Sequence, residues 1–280
     1  MSTNNEIKDQ KINDINVSTP QSNSNHMTAD QEEDLQVQIL QKYRDFQQET
    51  GCTNEELFDL VMDIETAEYT DEPIDIEKIL KSNYGAHDYW DNTYAESKKP
   101  FEWYIQWSDV EPKVSQFVKN KDLALIIGCG NSNMSYEVQQ KDVKMVVSID
   151  FSKIVIDQMT EKYKGNENLL WYEMDCTDMS FKDDLFDVVL DKGTFDAIFC
   201  GFDRSLKILS SLSEIWRVLK NNGFFIEISF GQPKDRLIWF EKSGENWKIY
   251  DPIVMPLKDL PDILIYVLQK IDNEDNKIES

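Results

Sequence analysis

The sequence predicts an α/β fold built on a mostly parallel sheet with helices on both faces. Three observations carry that prediction. Short apolar runs at 123–127, 145–149, 169–173, 186–191 and 224–230 alternate with amphipathic stretches at 132–140, 152–164 and 203–220. This is the rhythm of parallel strands joined by helical crossovers. Runs such as Asp187-Val-Val-Leu190 and Phe224-Phe-Ile-Glu-Ile228 are apolar at successive positions, as strands covered on both faces require. Finally, Leu123-Ala-Leu-Ile-Ile127 enters a glycine turn, Gly128-Cys-Gly-Asn-Ser132, and the next run, Met145–Ile149, ends on Asp150, 22 residues after Gly128. That layout predicts a nucleotide-type ligand at the carboxyl ends of two adjacent strands.

Along the chain, residues 1–30 are rich in Asn, Ser, Gln and Asp and hold few large apolar side chains. Such a segment buries too little surface to offset its ordering entropy, so disorder is expected. From residue 31 to about 82 the pattern turns helical. Leu35, Ile39, Tyr43 and Phe46 recur every three or four positions, as do Leu57, Leu60, Val61 and Ile64. Thr53-Asn-Glu-Glu56 has the form of a capping box that starts the second helix, and a third short helix is expected near Asp75–Lys81. This acidic helical extension either packs on the main domain or docks a partner. Residues 84–107 are dense in aromatic side chains, from Tyr84 to Trp107. A final pair of strands near 246–251 and 263–269 completes a domain expected over 83–280.

Composition narrows the function. The net charge is −24, and residues 1–80 hold 19 acids against 5 bases. No basic stripe is present, which argues against a nucleic-acid partner. Cys52, Cys129, Cys176 and Cys200 are scattered and make no metal spacing with His26 or His87, so no metal site is expected. No apolar run reaches the length of a membrane span. The amino-terminal residues resemble neither a secretory signal nor a transit peptide, and the cytoplasm is the expected compartment.

The chemistry concentrates at four strand ends: Gly128–Gly130, Asp150, Asp175 in Tyr172-Glu-Met-Asp-Cys176, and Asp191-Lys192 in Val189-Leu-Asp-Lys-Gly-Thr194. Taken singly, Asp175 reads as a turn residue and Asp191 as a cap of the turn that follows it. Their arrival at successive strand ends is what points to one ligand. The glycine turn lacks the third glycine of Gly-x-Gly-x-x-Gly, which leaves a dinucleotide oxidoreductase as the second reading. It is also not a triphosphate-binding loop.

Gly128-Cys-Gly-Asn-Ser132, Ile149-Asp-Phe-Ser152, Met174-Asp-Cys-Thr177 and Phe186-Asp-Val-Val-Leu-Asp-Lys-Gly-Thr-Phe-Asp-Ala197 together resemble the consecutive motifs of class I S-adenosylmethionine-dependent methyltransferases. More narrowly they are similar to the branch that includes the elongation factor 1-alpha lysine methyltransferases. That branch also opens on an aromatic segment, matched here by Tyr89-Trp-Asp-Asn-Thr-Tyr94 and Glu102-Trp-Tyr104. The resemblance covers about residues 84–230 and implies a seven-stranded Rossmann-like sheet with S-adenosylmethionine as cofactor. It further implies cofactor contacts from Trp90, Tyr94 and Trp103, from Gly128 and Gly130 on the methionine side, from Asp150 at the ribose and Phe151 at the adenine, from Asp175 and Cys176 flanking the adenine, and from Lys192 near the methyl-donor end. Asp191 is expected to border the substrate amine and orient it. The implied reaction is methylation of a protein lysine, with elongation factor 1-alpha as the foremost substrate. A small-molecule methyltransferase and a non-catalytic cofactor-binding scaffold remain the alternatives.

Overall fold

A computed structural model describes residues 84–96, 99–201, 204–257 and 261–271, all within one of the two units into which the chain divides. The expected tail at 1–30 and the helical extension at 31–82 lie outside the described residues. Two helices open the described chain, α1 (His87–Glu96) and α2 (Trp107–Val118). There follow β1 (Lys121–Ile127), α3 (Met134–Lys141), β2 (Val143–Asp150), α4 (Lys153–Lys162), β3 (Leu169–Glu173) and β4 (Phe186–Lys192). The chain continues through α5 (Thr194–Phe199), α6 (Arg204–Val218), β5 (Leu219–Ser229), α7 (Pro233–Lys242), β6 (Trp247–Ile249), β7 (Ile253–Met255) and β8 (Ile263–Lys270).

The sheet runs β3-β2-β1-β4-β5-β8-β6, with β7 also paired to β8. The strands from β3 to β5 are parallel to their neighbours, and β8 is antiparallel to β5. The chain leaves β1 toward β2 and β3, then returns to place β4 on the other side of β1. The carboxyl ends of β1 and β4 therefore flank the point where strand order reverses, and a ligand crevice opens there.

The alternating strand residues divide between two cores. Leu123, Leu125 and Ile127 of β1 pack with Val147, Val189 and Phe225 against Ile208, Leu212 and Ile215 of α6. Ala124 and Ile126 turn the other way and join Val146, Val188 and Ile226 beneath Val110 and Val114 of α2 and Val138 of α3. The sequence alternates apolar residues with apolar residues because both faces of the sheet are covered.

Where the structure departs from the expected elements, local chemistry accounts for it. Helices α1, α2, α5 and α7 fall in stretches the periodicity left unassigned. In α1 aromatic and Asn/Asp residues are spread over the whole helix, so no apolar stripe marks it. In α2 the Val110–Val114 spacing is interrupted by Pro112. The sixth strand is present in two pieces, β6 and β7, end to end along the outer edge of β8 and separated by Tyr250-Asp-Pro252, which raises the strand count from seven to eight. The segment Leu219-Lys-Asn-Asn-Gly223 is the start of β5. Leu219 pairs with Phe186, and the register then shifts so that Phe224 pairs with Val188, with Asn222 at φ 62° inside the bulge.

Arg217, at the end of α6, fastens the long connection from β3 to β4. Its guanidinium donates to Glu214 at 2.7 Å, Asp183 at 2.8 Å, and the carbonyls of Met179 and Phe181 at 2.6 Å each. Arg217→Ala removes all of these together and leaves two carbonyls without a donor. It is expected to lower the free energy of unfolding by about 2–3 kcal/mol. Urea denaturation measures this, and Arg217→Lys should recover less than half because a lysine lacks the planar fork.

Candidate functional site

The turn after β1 is shaped by what presses on it. Gly128 and Gly130 both adopt φ of +52°, in the left-handed region where a side chain is strained. A β-carbon on Gly128 would sit 2.2 Å from Thr194 Oγ1, and one on Gly130 would sit 2.9 Å from the Tyr94 hydroxyl. The turn is thus gripped between the start of α5 and the end of α1. Thr194 Oγ1 donates to the Ile127 carbonyl at 3.1 Å, tying the end of β1 to the residue after the β4 turn.

One strand over, Asp150 ends β2 with 5% of its surface exposed. Its carboxylate accepts from Gly130 N and Ser152 N, both at 2.9 Å. Burial pushes this carboxyl up to about 6 from its ordinary 3.8, against the pull of the two amides. The next residue, Phe151, lies 4.7 Å ring to ring from His87. Asp91 links α1 to this corner by accepting from Ser152 Oγ and pairing with His87 at 3.3 Å. At the following strand end Asp175 is exposed and accepts from Thr177 N at 2.8 Å. Cys176 beside it is buried, which pushes its thiol up to about 12.

The aromatic residues form a wall and a strap. Trp90 stacks on Tyr94 at 5.7 Å and meets Trp103 edge-on at 6.1 Å, while Phe101 meets Trp103 edge-on at 5.0 Å. Residues 99–106, which lead into α2, cross the glycine turn and are fastened to it. Asn131 accepts from Phe101 N at 3.0 Å and donates to the Lys99 carbonyl at 2.8 Å. Glu102 accepts from Ser132 Oγ at 2.7 Å and from Asn133 N at 2.5 Å. The same carboxylate pairs with Lys192 Nζ at 2.6 Å. Tyr104, itself at φ 65°, donates to Asp196 of α5 at 2.5 Å.

These elements enclose a cavity of about 420 Å³, within the range of small-molecule sites. All ten residues expected to contact a cofactor line it: Trp90, Tyr94, Trp103, Gly128, Gly130, Asp150, Phe151, Asp175, Cys176 and Lys192. Asp191 is placed elsewhere. It is fully buried, and it accepts from Thr194 N at 2.9 Å and Phe195 N at 3.2 Å, so it caps the first turn of α5 behind the cavity wall instead of bordering the space within. Sequence reasoning did not single out Glu102, His87, Asn131 or Thr194. Glu102 was legible only as part of the Glu102-Trp-Tyr104 aromatic segment, and the others take their roles from contacts 30 to 67 residues away in sequence, which no local pattern carries. Among the described residues no cluster of His, Cys, Asp and Glu is arranged to hold a metal, and no helix is long and apolar enough to cross a membrane.

The donor set suits S-adenosylmethionine. Two glycines leave room for a ligand backbone, a buried carboxylate stands ready for vicinal hydroxyls, Phe151 offers a flat face, and an aromatic wall surrounds the remainder. Comparison with known proteins agrees with that assignment. A sequence-family model described as "Methyltransferase domain" matches residues 125–226. The "eEF1A lysine and N-terminal methyltransferase" of Homo sapiens is 36% identical over 155 residues, 53% of this chain and 22% of the relative. "EEF1A lysine methyltransferase 4" of Mus musculus is 32% identical over 171 residues, 58% of this chain and 67% of the relative. The chain therefore spans about a fifth of the length of the first relative and two thirds of the second. Among solved structures, the one titled "Conversion of a Disulfide Bond into a Thioacetal Group during Echinomycin Biosynthesis" superposes with a TM-score of 0.51 at 15% identity, covering 68% of this chain and 95% of that one. The complex of the Haloferax volcanii Trm112 methyltransferase activator with a methyltransferase gives 0.50 at 14%, covering 66% and 96%, and both likenesses speak to the fold alone. With two thirds of a relative covered at this identity, and with the sheet order and strand-end cavity described above, the chain belongs to the class I S-adenosylmethionine-dependent methyltransferases, in the branch of the elongation factor 1-alpha lysine methyltransferases.

Proposed function

We propose that the protein transfers a methyl group from S-adenosylmethionine to the ε-amine of a lysine in a protein substrate, elongation factor 1-alpha foremost, in the cytoplasm. The observation that carries this reading is the single cavity lined by all four strand-end motifs and the aromatic segment, joined to the substrate named for the relatives. Within it, Asp150 accepts from the ribose hydroxyls, Phe151 and His87 face the adenine ring, and Asp175 accepts from the adenine amino group. Gly128, Gly130, Tyr94 and Lys192 hold the methionine end.

When bound, S-adenosylmethionine supplies a methyl group already activated on a sulfonium. The chain's residues have three tasks: align the amine, exclude water and keep the amine neutral. Alignment and exclusion are worth up to roughly 7–11 kcal/mol of barrier. Tyr89, Phe101 and Trp103 line the cavity and give the lysine stem an apolar passage. Desolvation there lowers the amine's pKa from about 10.4 and favours the form that can attack. Asp191 acts indirectly, as a positioning residue: by capping α5 it holds Thr194 against Gly128 and so keeps the turn open to ligand.

Incubating the purified chain with methyl-labelled S-adenosylmethionine and a cell lysate tests the reading. A labelled lysine on a protein of the size of elongation factor 1-alpha is the expected product. Label confined to small molecules would move the activity to that substrate class, and no transferred label would remove the activity altogether. A second prediction concerns pH. Ribose donors favour ionised Asp150, so cofactor affinity should be flat above pH 6 and fall as pH drops through about 6. Without cofactor the sign reverses. The raised carboxyl binds more protons folded than unfolded, so stability decreases as pH rises from 3.8 to about 6. Asp150→Asn should abolish the pH dependence of binding, and Asp150→Ala should weaken binding by about a hundredfold, both read by calorimetry.

A further inference from the structure

Glu102 and Lys192 stand 90 residues apart in sequence, and their pairing has a consequence for what the cavity can hold. Of the lysines that line the cavity, Lys99, Lys192 and Lys207, only Lys192 is buried. Ile127 of β1 lies beside Asp191 of β4, so Lys192 comes level with Gly128 at the mouth of the crevice. An ammonium held there acts through a poorly screened medium, and a second positive charge brought beside it is repelled far more than in water. A sulfonium is such a charge.

The structure meets this with a fixed counter-charge. Lys192 Nζ donates to Glu102 Oε2 at 2.6 Å and to the Ile105 carbonyl at 3.2 Å, with only 5% of its side chain exposed. Glu102 cannot swing away, because Ser132 Oγ and Asn133 N hold it just ahead of α3. We propose that Glu102 is a specificity residue: by neutralising Lys192 it sets the preference of the site for the cationic methyl donor over its neutral thioether product, S-adenosylhomocysteine. This rests on S-adenosylmethionine as cofactor and is independent of the methyl acceptor. In use, it lets spent cofactor leave in favour of fresh cofactor and limits product inhibition.

The test is binding, not turnover. Dissociation constants for S-adenosylmethionine and S-adenosylhomocysteine are measured by calorimetry on the full chain. Glu102→Gln keeps the shape and one of the two accepting oxygens while removing the charge. It should weaken the sulfonium ligand about tenfold more than the thioether. Adding Lys192→Met to that variant should return the ratio of the two affinities toward the wild-type value. Equal weakening of both ligands would show that Glu102 is only a strut for the strap and would overturn the proposal. Should Glu102→Gln fail to fold, Lys192→Met alone must shift the ratio the other way, toward the sulfonium. An unchanged ratio there overturns the proposal as well. A wild-type chain that binds neither ligand would overturn the cofactor reading itself, a result distinct from either of these.

Discussion

The approach of Gly128 to Thr194 is the contact on which the rest of the site depends. Strands β1 and β4 are neighbours in the sheet, but their ends would diverge into separate loops were nothing to join them. Thr194 closes the gap by lying where a side chain of Gly128 would be, with its hydroxyl bonded to the last carbonyl of β1. Asp191 makes that possible from behind, since its two carboxylate oxygens take the amides of Thr194 and Phe195 and start α5 at the required angle. A fully buried carboxylate is costly unless hydrogen-bonded, and burial drives this one upward from its ordinary value. The fold accepts that cost at the position where two strand ends must meet.

The strap of residues 99–106 follows from the same contact. Once the turn after β1 is fixed, its next residues present Asn131, Ser132 and Asn133 N to the chain crossing above, and Glu102 and the backbone of Phe101 take them. The other end of the strap is fastened to α5 through Tyr104 and Asp196. Asp196 also accepts from Ser229 Oγ at 2.7 Å and is paired with Arg236, which in turn reaches Glu227 at 2.8 Å. The roof of the cavity is therefore held by polar contacts to both the turn after β1 and α5, and the aromatic side chains hang from it. Buried networks of this kind fix one geometry when each member is partnered.

Much of this was legible in the sequence, and the reason is physical. Strand ends that serve a ligand need glycine where backbone must bend and a carboxylate where hydroxyls dock, so Gly128, Gly130, Asp150 and Asp175 announced themselves by type and spacing. The aromatic density of 84–107 likewise marked a wall, and Trp90, Tyr94 and Trp103 line the cavity. The helices within that segment were not legible, because residues that face a ligand and residues that face a core are equally apolar and erase the 3.6-residue period. Asp191 shows the converse limit. Its type and place in the motif are those of a substrate contact, yet which way its side chain points depends on α5, a helix of six residues with no periodic signal. Glu102 was invisible as a partner of Lys192 because an ion pair across 90 residues leaves no local pattern.

The central claim is that the strand ends and the strap enclose one S-adenosylmethionine molecule. Amide hydrogen exchange with and without saturating S-adenosylmethionine reads this directly. The account predicts slowed exchange in four separate stretches, 99–105, 128–134, 150–152 and 175–177, with little change in β6, β7 and β8. Protection confined to other parts of the sheet, or to one of the four stretches alone, would contradict it.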